Sequence, residues 1–218
     1  MKKRVKKNSD FARELLRHHF RVAIFGSARI RKGGPHYELV RELAKQIGHR
    51  GVDVVTGGGP GLMEAANTGH HEGRGHHHNH SIGLRIKLPF EEKAAPHLDL
   101  KREFSQFSRR LDEFMHLSHV VVIAPGGVGT LLEFAYTWQL IQVSHICEIP
   151  IIMIGTMWSG LMKWLKQGPL KEGLISLADL KYLYYVRTTK EAIKIIDKAH
   201  VAFIKNKGEC RPMKRVGF

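Results

Sequence analysis

The sequence predicts an α/β fold of three layers, with a parallel sheet covered by helices on both faces. Three observations predict it. Short apolar runs such as Val120-Val-Val-Ile123 alternate with helical patterns almost throughout the chain. These runs are continuously apolar rather than alternating, as strands buried on both faces are. Glycine turns follow several of them, and in open sheets of this kind ligands sit beyond the carboxyl ends of the strands. A chain of 218 residues suits one such domain and can bury a full core.

In chain order, Arg21–Phe25 reads as a strand, Tyr37–His49 as a helix and Val52–Thr56 as a strand. Gly61–Glu72 follows as a helix and Ser81–Leu88 as a strand. Residues Pro89–Arg102, with two prolines, read as a connecting loop, and Phe104–Leu117 as a helix. Val120–Ala124 is a strand, Gly129–Gln142 a helix, Ile149–Ile154 a strand and Met157–Leu165 a helix. Tyr182–Val186 and the helix Thr189–Asn206 close the pattern. We expect one Rossmann-like domain over residues 10–206, flanked by basic tails at 1–9 and 207–218.

The formal charge of +15 invites a nucleic-acid reading. Five Lys/Arg in Met1–Lys7, with five in Lys205–Arg215 against Glu209, account for +9 of it, leaving +6 for the body. The tails lack aromatics that would stack on bases, so nucleic acid is disfavoured as a partner. The milder excess of the body suits an anionic small molecule. Met1–Lys7 is followed by Asn8-Ser-Asp10 rather than an apolar stretch, and no run approaches membrane-spanning length. Cys147 and Cys210 are too few for a disulfide framework, which favours a reducing compartment. These features predict a cytoplasmic protein without a membrane partner.

Three loops fall at carboxyl ends of predicted strands: Gly26-Ser-Ala-Arg29, Gly57-Gly-Gly-Pro-Gly-Leu-Met-Glu64 and Pro125-Gly-Gly-Val-Gly-Thr-Leu-Leu-Glu133. Glycines there let the backbone approach an anion, and the helix that follows offers free N–H groups and a positive dipole end. Neither the P-loop pattern nor the dinucleotide pattern G-x-G-x-x-G is present. The missing lysine and magnesium-binding hydroxyl argue for a phosphate monoester rather than a metal-bound triphosphate. Gly129 and Thr130 stand at a helix start, where the Thr130 hydroxyl can also donate to phosphate. Glu133, one turn further on the same side, places a carboxylate about a sugar's width from it. Candidate binding residues are thus Gly26, Ser27, Gly57, Gly58, Gly59, Met63, Glu64, Gly126, Gly127, Val128, Gly129 and Thr130, with Glu133 for catalysis. His76, His78 and His80 alternate in Gly75-His-His-His-Asn-His-Ser81, but without a nearby acidic or Cys partner they read as a solvated loop, and no metal is assigned.

The motif Pro-Gly-Gly-x-Gly-Thr-x-x-Glu at Pro125–Glu133, together with Gly57–Met63, resembles the LOG family of cytokinin riboside 5′-monophosphate phosphoribohydrolases, often mislabelled lysine decarboxylases. Phe25-Gly-Ser-Ala-Arg29, Met63-Glu-Ala-Ala-Asn67, Ser81-Ile-Gly-Leu84 and Leu88-Pro-Phe-Glu91 add to the likeness, closest to the longer bacterial branch. The resemblance implies that Arg110 partners Glu133. It implies hydrolysis of a purine nucleoside 5′-monophosphate, with or without an N6 substituent, to free base and ribose 5-phosphate. No cofactor is implied, and a homodimer with active sites near the interface is. Leu111 and Leu132 stand where the family usually has Lys and an acid. A nucleotide-binding sensor or carrier on the same fold is the alternative reading.

Overall fold

The computed structural model describes residues 19–87 and 94–208. The tail 1–9, Leu88 with the motif segment after it, and residues 209–218 of the second tail lie outside the described residues. Seven strands are described: β1 (Arg21–Phe25), β2 (Asp53–Thr56), β3 (Ser81–Ile86), β4 (Leu100–Phe104), β5 (Val120–Ile123), β6 (Ile151–Ile154) and β7 (Leu183–Val186). They form one sheet in the order β4-β3-β2-β1-β5-β6-β7, and every pairing is parallel. The helices are α1 (Pro35–Gly48), α2 (Leu62–Gly73), α3 (Phe107–Leu117), α4 (Val128–Gln142), α5 (Ser159–Gln167), α6 (Leu177–Leu180) and α7 (Thr189–Lys205). Among the described residues no helix is long and apolar enough to cross a membrane.

The predicted three-layer α/β architecture is what the chain adopts. β1, β2, β5 and β6 are buried at every position because both faces of the sheet are covered. Successive side chains leave the sheet on opposite sides. Val22 and Ile24 join a cluster with Tyr37, Leu43, Leu62 and Ile193, beneath α1, α2 and α7. Ala23 and Phe25 join another with Phe114, Phe134 and Trp158, beneath α3, α4 and the segment leading into α5. A slip of one residue would exchange the two sets, so the paired cores hold the register.

The chain winds outward from β1 to β4, then returns to place β5 against the other side of β1. The winding therefore reverses between β1 and β5. Loops leaving these two strands diverge there, and a crevice opens at their carboxyl ends.

Two stretches depart from the sequence expectation. Leu100–Phe104, expected as the end of a loop and the start of a helix, is an edge strand, and α3 begins only at Phe107. Its middle residues, Lys101-Arg-Glu103, are exposed, so the strand never presents an apolar run. Charges on an open sheet edge discourage pairing with another chain, which suits this composition to an edge. The short α6 was also not anticipated; a capping box of Ser176 and Asp179 holds it.

Where α1 crosses α2 their backbones nearly touch. A Cβ on Gly69 would lie 1.9 Å from the Arg41 carbonyl oxygen, and one on Gly73 2.0 Å from that of Lys45. The spacing of four on both helices makes this one continuous seam. It holds the second half of α2, the helix that follows the triple-glycine turn. Gly69→Ala should therefore destabilise the protein by about 1–3 kcal/mol through overpacking, although helix propensity alone favours alanine by roughly 1 kcal/mol. Urea unfolding reads the difference, and an unchanged or raised midpoint would show that the seam is not close-packed.

Candidate active site

The crevice between β1 and β5 holds a cavity of about 960 Å³. Hydrogen bonds tie its walls together. The Ser27 N–H donates to the Pro125 carbonyl (3.1 Å), and the Leu62 N–H donates to the Ser27 carbonyl (2.9 Å). One loop residue thus links the starts of α2 and α4. The contact is close: a Cβ on Gly61, which has φ +69°, would meet the Ser27 carbonyl oxygen at 2.4 Å.

Buried polar groups set the turn after β2. Thr56 Oγ1 accepts the Gly58 N–H (3.1 Å) and donates to Asn67 Oδ1 (3.1 Å), which also accepts from the Ser81 hydroxyl (2.9 Å). These groups join β2, β3 and α2 in one network, which low dielectric strengthens. Gly58 takes φ +65°, a conformation that side-chain-bearing residues rarely adopt.

The third wall is the start of α4. Gly127, its N-cap, supplies no side-chain cap, and the helix geometry leaves the N–H groups of Val128, Gly129 and Thr130 without intrahelical acceptors. Gly127 and Gly129 face open space. Gly126 faces inward instead: a Cβ there would sit 2.1 Å from Thr130 Oγ1, so a glycine is required for the buried threonine to pack. Three outward N–H groups and a positive dipole end make an anion cradle.

One turn along α4, Glu133 Oε1 accepts a 2.8 Å hydrogen bond from Arg110 Nη2. Arg110 comes from the first turn of α3, and its guanidinium lies 5.5 Å from the Phe114 ring centroid and 5.9 Å from that of Phe107. Both side chains are only 12% exposed. Burial pushes the Glu133 carboxyl up to about 7, and the charge and hydrogen bond of Arg110 offset this only in part. A carboxylate that would be fully ionised in water is therefore poised near neutrality.

Gly26, Ser27, Gly57, Gly59, Met63, Gly127, Val128, Gly129, Thr130, Arg110 and Glu133 line this one cavity. Gly58, Glu64 and Gly126 do not: Gly58 and Gly126 shape the turns from behind, and Glu64 lies on the α1 side, close enough to help raise the Tyr37 hydroxyl. The cavity also takes in Arg85, Lys87 and Glu103, none of them among the sequence candidates. Arg85 Nη1 pairs with Glu103 Oε1 at 3.2 Å across β3 and β4. Glu103 sits on β4, which the sequence reading divided between a loop and a helix, so only recognition of β4 could have placed it opposite Arg85.

Fold and site together define a Rossmann-like α/β protein with an anion cradle beside a buried Glu–Arg pair. Residues 63–196 match the family model described as "possible lysine decarboxylase". The chain belongs to this family, the LOG family. The pyrimidine/purine nucleotide 5′-monophosphate nucleosidase of Escherichia coli (strain K12) is 35% identical over 128 residues, covering 55% of this chain and 28% of that enzyme. The chain thus matches less than a third of that relative's length. The cytokinin riboside 5′-monophosphate phosphoribohydrolase LOG3 of Arabidopsis thaliana is 24% identical over 182 residues, 82% of each chain. Among solved structures, the molybdenum cofactor carrier protein of Chlamydomonas reinhardtii superposes with a TM-score of 0.60 at 21% identity, covering 84% of this chain and 99% of that one. At that identity the likeness is one of fold.

The raised Glu133 carboxyl predicts a pH effect on stability. The native state holds a proton there up to about pH 7, whereas the unfolded chain releases it near the ordinary 4.5. The resulting stabilisation is complete below 4.5 and is lost as pH rises through 7. Glu133→Gln has no such proton. Going from pH 5 to pH 8, wild type should lose up to about 3 kcal/mol relative to that variant, at roughly 1.4 kcal/mol per tenfold change in proton affinity. Parallel urea titrations at the two pH values measure the gap; a constant gap would mean that Glu133 is not desolvated.

Proposed function

We propose that this protein hydrolyses the N-glycosidic bond of a purine nucleoside 5′-monophosphate, with or without an N6 substituent, releasing free base and ribose 5-phosphate. The observation that carries the reading is the Glu133–Arg110 pair, 12% exposed on each side, one helical turn from a phosphate-sized cradle. The names of relatives in Escherichia coli and Arabidopsis thaliana point to the same chemistry.

In this reading the 5′-phosphate rests on the N–H groups at the start of α4, where it meets the helix dipole and the Thr130 hydroxyl. That anchor sets the ribose beside Glu133. As the C1′–N bond breaks, positive charge spreads over C1′ and the ring oxygen, and the ionised carboxylate stabilises it. Glu133 also draws a proton from a water that attacks C1′, and that proton ends on the departing base. Arg110 holds the carboxylate in place and lends a planar set of donors to ribose or phosphate oxygens. Glu133 and Arg110 are the catalytic residues of this scheme, and it uses no cofactor. We further propose that two copies pair at the cavity mouth, where Val128 (84% exposed), Leu132 and Phe107 leave apolar surface uncovered; sedimentation of the purified chain reads the mass directly.

The decisive experiment incubates the protein with paired nucleosides and nucleoside 5′-monophosphates and follows free base by chromatography. AMP or an N6-substituted AMP should be cleaved, and adenosine far more slowly. Equal rates for adenosine and AMP would remove the phosphate cradle from the mechanism. Tight binding of AMP with no release of base would leave a nucleotide sensor or carrier instead.

Glu133→Gln keeps the shape of the site and removes the charge. Turnover should fall by about 10²–10⁴-fold, while AMP binding changes little. Arg110→Ala should also lower turnover, and the double variant should lose much less than the product of the two losses, because both groups act on one transition state. Wild-type kcat/KM should rise with pH through about 7, as Glu133 ionises, and then level off. A profile that falls across that range would make the protonated form the active one.

A further inference from the structure

The opposite end of the sheet carries a second polar centre that the proposed reaction does not use. His19 precedes β1, Asp53 opens β2 and His80 precedes β3, so three adjacent strands bring them to one edge. The backbone ladder fixes their spacing: the Asp53 N–H donates to the Phe20 carbonyl (3.2 Å), and the Val54 N–H to the His80 carbonyl (3.0 Å). Asp53 is 1% exposed. Its Oδ1 accepts the His80 N–H at 2.8 Å and lies 3.9 Å from His80 Nδ1. Its Oδ2 lies 3.4 Å from both His19 Nδ1 and Arg21 Nε, yet accepts no hydrogen bond among the described residues.

We propose that His19, Asp53 and His80 form a binding site for a divalent transition-metal ion. Each offers one ligand atom, and the three atoms lie within 4.8 Å of one another. A tetrahedral ion with bonds of about 2.0–2.1 Å sets its ligands roughly 3.4 Å apart. The present separations therefore close with small side-chain rotations, on backbone the sheet already holds. Two imidazoles and one carboxylate suit zinc or its first-row neighbours better than magnesium or calcium.

Electrostatics favour a cation here on two counts. A carboxylate buried with one oxygen short of hydrogen bonds bears a desolvation cost that the Arg21 ion pair offsets only in part. A carboxylate has about four lone-pair positions, so Arg21, the His80 N–H and a metal ion can share it. The carboxyl ends of α1 and α2 also lie at this edge, at Gly48 and Gly73, where helix dipoles are negative. His19 and His80 are partly exposed, at 35% and 25%, which gives an ion a way in. Bound metal would staple the starts of β1, β2 and β3, far from the glycine turns, so it acts on stability rather than on hydrolysis.

The test must exclude the exposed loop histidines, which can also chelate. The starting protein has His76, His77 and His78 all replaced by serine, and the probe is Zn²⁺ alone, followed by calorimetric titration and thermal unfolding. One equivalent should still bind and should raise the melting temperature. His80→Gln or His19→Gln in that background should weaken binding by more than the roughly 10–100-fold that changes around a metal's ligands cost. Circular dichroism without metal confirms that both variants fold, and Co²⁺ should give the absorption of a four-coordinate ion only while both histidines are present. Loss of zinc binding in the triple-serine protein would assign it to the loop and overturn the proposal. So would an equivalent that survives both His19→Gln and His80→Gln.

Discussion

The interaction on which the site depends is the ion pair of Glu133 with Arg110. Removing a carboxylate from water is costly, and a single guanidinium returns only part of that cost. The balance shows in the carboxyl, which sits near 7 although it touches a full positive charge. Desolvation therefore outweighs attraction. A weaker partner would leave Glu133 protonated at neutral pH, and a fully solvated carboxylate would be a poor proton acceptor. The pair works only if α3 and α4 are both in place, because each contributes one member. The ring contacts of Arg110 with Phe107 and Phe114 hold it against the second core cluster, so packing and electrostatics are coupled at this point.

Close approach of backbone is what brings the start of α2 and the turn before α4 together at the back of the cavity. A Cβ on Gly26 would meet Leu62 at 2.9 Å and Ala124 at 3.3 Å, and one on Gly61 would collide with the Ser27 carbonyl. These glycines let the loops after β1, β2 and β5 stack almost in contact. Gly127 and Gly129 serve the opposite end: their missing side chains leave the N–H groups of α4 open. One residue type thus closes the back of the cavity and opens its front. The Thr56–Asn67–Ser81 network secures the turn after β2 through buried hydrogen bonds.

What the sequence revealed follows the range of the forces involved. Strand–turn–helix units are local, so Glu133 and the glycine turns could be read from spacing alone. Arg110 lies on α3, a separate segment, and became legible only through family resemblance. Glu103 was hidden for another reason: the strand that bears it is charged and borders solvent, so it lacks the apolar run that marks a buried strand. Thr56 showed no motif of its own, and Asn67 stood in a family motif without a stated role, because the significance of both is a tertiary contact. The alternating histidines were read as a solvated loop for want of an acidic neighbour in sequence, and His76–His78 are indeed exposed. His80 departs from that reading, since its carboxylate neighbour stands 27 residues earlier and meets it only across the sheet.

The two ends of a parallel sheet are not equivalent, and this protein's charges follow the difference. Every helix that follows a strand begins near the carboxyl edge and ends near the amino edge. Positive dipole ends therefore gather at the cavity, and negative ones gather at the edge where β1, β2 and β3 begin. Cationic side chains reinforce the first field: Arg29, Arg85, Lys87 and Arg110 line the cavity against Glu103 and Glu133. An anion is favoured there by backbone and side chains together. At the other edge the carbonyl ends of α1 and α2 accompany Asp53, whose charge the sheet buries almost completely. The geometry that favours an anion at one rim thus favours a cation at the other. The cation that the structure shows beside Asp53 is Arg21, 3.4 Å from its Oδ2, and the proposed metal ion would share that carboxylate.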